Sequence, residues 1–154
     1  MSAAATSSTV PQGALPCLCN AIRRADRALS RRYDDALRPS GLTTTQYALL
    51  AALSRAGRPL PHGELAGLQE MAAATLTRAL QPLQRDGLIH VASGDDRRTR
   101  FVAITAAGEA ALSRARPLWQ AVQQEVVAAF DDARSARLLA DLARLVASLR
   151  EDTT

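Results

Sequence analysis

Two short segments break a helical pattern that fills most of this chain. Leu88-Ile89-His90-Val91 and Phe101-Val102-Ala103-Ile104-Thr105 are the runs that read as strands. Between them Ser93-Gly94-Asp95-Asp96-Arg97-Arg98 forms a polar, turn-prone loop. Together they predict one small hairpin and no further sheet. The apolar fraction is 47% while aromatic residues are only 3%, so Ala and Leu, both strong helix formers, carry much of it. Few β-branched and aromatic residues argue against a sandwich or barrel. The chain is expected to be mainly α. Its 154 residues suit one domain with a real core.

The helical periodicity places the remaining elements. Residues 1–14 are small and polar, with Pro11 and Gly13, and are expected to be a disordered tail. Leu18, Ile22, Ala25, Leu29, Tyr33 and Leu37 recur at three- and four-residue spacing and predict a helix over 16–38, closed by Pro39-Ser40-Gly41. Thr43 can cap the next helix, with Gln46 placed to complete a capping box. That helix carries Tyr47, Leu49, Leu50 and Leu53 and stops near Gly57. Pro61 suits the first turn of a short helix through Glu64, Leu65 and Ala66. Another helix runs from about Ala72 to Asp86 and stops at Gly87, with a kink expected at Pro82. Thr105 is the expected cap of a long helix reaching about Phe130, bent at Pro117. The last helix carries the apolar stripe Leu138, Leu139, Leu142, Leu145, Val146 and Leu149.

The order helix, turn, helix, hairpin is that of a winged helix-turn-helix with a two-stranded β wing. Its physics fits DNA. A helix of about 15 residues fills the major groove and reads base edges, and an Arg-bearing hairpin tip enters the adjacent minor groove. The formal charge of +4, with all 19 basic residues Arg, permits an anionic partner but says little alone. Position is more informative: Arg97, Arg98 and Arg100 sit in or beside the hairpin, and Arg78 on the helix before it.

The chain also resembles the MarR family of bacterial transcriptional regulators over about residues 17–125. The likeness rests on Gly41-Leu42-Thr43 with Gln46-Tyr47, on Glu64-Leu65-Ala66, on Thr75-Leu76-Thr77-Arg78, on Gly87-Leu88-Ile89, and above all on Asp96-Arg97-Arg98 followed by Val102-Ala103-Ile104-Thr105 and Gly108. The resemblance implies a single domain over 15–154: a winged helix at about 42–105, flanked by dimerisation helices at about 16–38 and 106–150. It implies a homodimeric repressor on a palindromic double-stranded DNA operator. Thr75, Thr77, Arg78 and Gln81 would face the major groove. Arg97, Arg98 and Arg100 would supply wing contacts, with Asp96 orienting the wing Arg through an ion pair. Ala72 stands where relatives carry a Ser or Thr cap, a change worth about 1 kcal/mol. His90-Val91 replaces a common acidic-basic pair, and the wing loop is one residue short.

A regulator of this kind needs a differential ligand or a covalent switch. One candidate is a small aromatic or phenolic acid between the dimer part and the winged helix, its carboxylate held by Arg23, Arg24, Arg27 or His62. The other is oxidation of Cys19. It lies 14 residues before Tyr33 and 24 before Thr43, as in the organic-hydroperoxide-sensing branch of the family, with Arg23 one turn on. Against that, Thr44 stands where the branch carries Tyr. No cofactor motif and no metal-ligand set accompany Cys17 and Cys19. An enzyme is not expected: His62 and His90 are the only histidines, and there is no phosphate loop or nucleophile motif. A helical adaptor that binds no DNA is the other alternative, against which the Arg-tipped hairpin speaks. No apolar run approaches the roughly 20 residues that span a bilayer. With no signal-peptide pattern, a cytoplasmic, reducing setting without membrane contact is expected.

Overall fold

The computed structural model describes residues 17–94 and 98–151. The first helix, α1, spans Leu18–Leu37. A 3-10 turn at Arg38–Ser40 follows and closes at Gly41, whose φ of 77° favours glycine. α2 spans Thr44–Ala56 with the expected capping box complete: Gln46 N donates to Thr43 Oγ1 at 3.2 Å, and Thr43 N to Gln46 Oε1 at 2.9 Å. A carboxylate from α1 adds to this cap. Asp34 Oδ1 accepts both the amide and the hydroxyl of Thr44, each at 2.6 Å, and ties the first helix to the start of the second.

Strand β1, Leu60–Pro61, was not expected. Leu60 lies between Pro59 and Pro61, and two residues give no periodic signal. They pair antiparallel with β3, Arg100–Ile104, so the sheet has three strands in the order β1-β3-β2, with β2 at Ile89–Ser93. Pro61 is tolerated because β1 is an edge strand. The hairpin itself is as expected, with Ile89 opposite Ile104 and Ser93 opposite Arg100. Gly94 N donates to Thr99 O at 2.7 Å, which extends the pairing toward the tip. The tip residues Asp96 and Arg97 lie outside the described residues, as does the 1–14 tail.

α3 (His62–Leu68) and α4 (Ala73–Arg85) form the helix-turn-helix. The turn between them includes Glu70 at φ 51°. α4 starts after Ala72 with no side-chain cap and continues past Pro82. Gly87, at φ 71°, ends this segment, and Leu88 N reaches back to Leu83 O at 2.8 Å.

α5, Ala106–Phe130, is capped by Thr105, whose Oγ1 accepts from Gly108 N at 3.1 Å and donates to Gly87 O at 2.7 Å. α6, Asp132–Glu151, begins after Asp131, which receives the amides of Ala133 and Arg134 on Oδ1. Near its end, Arg150 donates to Gly67 O and pairs with Glu70, so the last helix touches the helix-turn-helix turn.

One core joins these parts. Leu49, Leu50 and Leu53 of α2, Leu65 of α3, Leu76 and Leu83 of α4, Val102 of β3 and Leu112 of α5 are almost fully buried in it. α1 contributes only Leu37, and among the described residues none of α6 is buried. Among the described residues no helix is long and apolar enough to cross a membrane.

Candidate nucleic-acid interface

α4 divides into a buried face and an exposed one. Leu76, Leu80 and Leu83 turn into the core, which leaves Thr75, Thr77, Arg78 and Gln81 exposed. Thr77 Oγ1 bonds the Ala73 carbonyl at 2.9 Å, and Arg78 Nε reaches the Ala74 carbonyl at 3.4 Å. The wing folds toward this face. A cleft of about 130 Å³ between α4 and the sheet is lined by Thr77, Gln81, Gln84, Arg100 and His62. A wider one of about 440 Å³ joins Thr77 and His62 to Arg98, Thr99 and Arg100. The two clefts share His62, Thr77 and Arg100, so α4 and the wing border one concave surface.

The structure therefore brings together four of the expected contact residues: Thr77, Gln81, Arg98 and Arg100. Thr75 and Arg78 are on the exposed surface of the same helix but line neither cleft. Asp96 and Arg97 fall outside the described residues. Gln84 was missed in the sequence, although it continues the Thr77, Gln81 series at helical spacing. His62 was expected near a ligand carboxylate. It instead stands in this cleft, its Nε2 3.1 Å from Thr77 Oγ1.

A further open cavity lies where α2 meets α5. It measures about 440 Å³ and is lined by Tyr47, Ala51, Ser54 and Arg55 from α2 and by Arg116, Trp119 and Gln120 from α5. Tyr47 and Trp119 stack with centroids 5.6 Å apart and planes at 12°. Burial pushes the Tyr47 phenol above its ordinary range, while Arg116, and more weakly Arg55, act in the opposite sense. Arg55 and Arg116 were not singled out in the sequence, because they lie 61 residues apart and on different helices. The expected anion holders are elsewhere. Arg24 and Arg27 border an open depression on α1 with Arg31, and Arg23 is exposed on the same helix. Neither group lines the α2–α5 cavity. Cys17 and Cys19 are both exposed free thiols, with Cys17 in the cap position and Cys19 in the first turn of α1.

A helix-turn-helix whose second helix shares a groove with an Arg-bearing hairpin defines a winged-helix regulator. Comparison with known proteins gives the same class. A family model described as MarR family matches residues 40–99. The crystal structure of the Mycobacterium tuberculosis transcriptional regulator MosR in complex with DNA is 43% identical, covers 88% of this chain and 99% of that one, and superposes with a TM-score of 0.77. The uncharacterised HTH-type transcriptional regulator YwoH of Bacillus subtilis is 25% identical over 115 residues, 75% of this chain and 83% of its own length. The transcriptional activatory protein BadR of Rhodopseudomonas palustris is 33% identical over 98 residues, 62% of this chain and 52% of its own. The chain belongs to the MarR family of DNA-binding transcriptional regulators.

Proposed function

We propose that the protein is a homodimeric repressor that holds a palindromic operator through α4 and the wing and is released by a small aromatic acid. The observation that carries this is the shared groove, in which Thr77 and Gln81 of α4 face Arg98 and Arg100 of the wing. Thr75 and Arg78 complete the major-groove surface; Arg97 and Asp96, which the resemblance assigns to the wing, lie outside the described residues. Arg suits guanine or phosphate, and Gln suits adenine. The complex of MosR with DNA supports the same use of the fold.

Dimerisation is supported by apolar surface left uncovered at both ends of the chain. Leu139 is 64% exposed and Leu138 45% on α6, and Leu18 and Leu29 are exposed on α1. Such stripes on long helices need a partner. A two-fold axis through α1, α5 and α6 would present two wings to two half-sites about one DNA turn apart.

The test is a duplex that the protein itself selects from a random-sequence pool. Arg98→Ala should weaken binding to that duplex about tenfold or more at fixed salt while light scattering still reports a dimer. Unchanged affinity would remove the wing assignment. Monomeric wild-type protein would remove the dimer.

The release ligand is read from the α2–α5 cavity. Stacked Tyr47 and Trp119 offer an aromatic wall, and Arg55 and Arg116 offer charge for a carboxylate. A ligand seated there would touch the winged helix and α5 together, and so could favour one spacing of the two wings. Trp119 is the only tryptophan. Titration with benzoate or salicylate should therefore quench the intrinsic fluorescence in a saturable way, and Arg116→Ala should abolish the quench. A saturable quench retained in Arg116→Ala would place the acid elsewhere. Release by oxidation of Cys19 is the second reading, supported by the exposure of that thiol. A cytoplasmic location agrees with either.

A further inference from the structure

We propose that Thr77 reads a base rather than a phosphate, its one proton being spent inside the protein and His62 holding the hydroxyl in place, so that the pair sets target preference at one position of each half-site. The proposal rests on the DNA-binding reading above. Its starting point is the proton count at one hydroxyl. A threonine Oγ1 has a single proton and two lone pairs. Thr77 Oγ1 lies 2.9 Å from the Ala73 carbonyl one turn back and 3.1 Å from His62 Nε2. The bond to the carbonyl takes the proton, as is usual for Thr within a helix, and His62 Nε2–H then donates to one lone pair. In the other imidazole tautomer the proton goes to His62 instead. Under both assignments the only donor of Thr77 is used inside the protein.

What remains on the exposed side chain is at least one lone pair and a methyl group. Phosphate oxygens only accept, so this hydroxyl has nothing to give them. The lone pair fits an exocyclic amino group in the major groove, either adenine N6 or cytosine N4. The methyl fits the thymine C5-methyl. An A·T pair offers both partners at once, and this is the pair the geometry assigns to Thr77.

His62 is held in place from behind. It follows Pro61, which pairs with Phe101 of the wing sheet, so β1 fixes the distance between the imidazole and α4. This gives the short edge strand a role: it docks the start of α3 against both the wing and the recognition helix. The same imidazole borders the cleft with Arg98 and Arg100, which supply the phosphate-directed charge that Thr77 does not.

The experiment compares sequences selected from a random duplex pool by wild type, His62→Ala, His62→Gln and Thr77→Val, with thermal melting as a check on folding. Wild type should prefer A·T about tenfold at one position per half-site. His62→Gln, which keeps an N–H donor, should retain that preference. Thr77→Val should lose it there, and His62→Ala, which frees the hydroxyl to turn, should weaken it there; both should leave the other positions unchanged. If His62→Ala does not fold, His62→Gln and Thr77→Val still decide the matter. Identical selections by wild type and Thr77→Val, or a loss of affinity spread evenly over all sequences, overturn the proposal. Loss of the preference in His62→Gln, with folding intact, overturns the part given to the donor. A wild-type protein that selects no sequence overturns the DNA-binding reading and this one together, whereas a selective wild type unaffected by Thr77→Val overturns this one alone.

Discussion

Gly108→Ala sets two opposed effects against each other, and their sum has a definite sign. Gly108 stands in the first turn of α5 and is buried. In a helix, Ala is favoured over Gly by at most about 1 kcal/mol, so propensity alone predicts a more stable protein. The surroundings predict the reverse. A Cβ at Gly108 would lie 2.1 Å from the Leu88 carbonyl oxygen and 2.7 Å from Ile104 Cγ1. The oxygen belongs to backbone, so either α5 or the chain entering β2 must move by about 1 Å to reach ordinary contact distance. That movement strains three bonds at the junction: Thr105 N to Leu88 O at 3.1 Å, Thr105 Oγ1 to Gly87 O at 2.7 Å, and Gly108 N to Thr105 Oγ1 at 3.1 Å. At about 1 kcal/mol net for each bond, their loss costs roughly 3 kcal/mol. The balance is about 2 kcal/mol of destabilisation. For a chain of this length that lowers Tm by roughly 4–8 °C, measured by circular dichroism at one fixed protein concentration. A melting temperature equal to or above that of the unsubstituted protein would refute the reasoning.

Two further outcomes follow from single residues. Ala72 has the extended backbone of a helix cap, φ −62° and ψ 145°, but no side chain that can bond. Ala72→Ser should therefore stabilise the fold by about 1 kcal/mol in a urea titration, and an unchanged midpoint would show that its hydroxyl does not reach the free amides of α4. If oxidation of Cys19 is the switch, organic hydroperoxide should release the protein from its selected duplex and Cys19→Ser should stay bound; release that persists in the variant makes the thiol irrelevant.

How far the sequence could be read depended on whether a signal was local. The capping box at Thr43, the breaks at Gly41, Gly57 and Gly87, and the Thr105 cap are all stated by neighbours within four residues, and all are present. The hairpin was legible for the same reason, because its strands are the only departures from helical periodicity. What escaped was made by distance. β1 is two residues long and exists only because β3 lies beside it. The Tyr47–Trp119 stack joins residues 72 apart, and no spacing rule links them or brings Arg55 to Arg116. His62 shows the limit most clearly. From sequence it was a histidine at a helix start, where an exposed surface role fits better than a ligand role. Only the fold of α3 against α4 sets its Nε2 beside Thr77. Residue types and spacing thus mark α4 and the hairpin as the exposed Thr- and Arg-bearing elements, while the hydrogen bonding of the Thr77 hydroxyl depends on a partner 15 residues earlier in the chain.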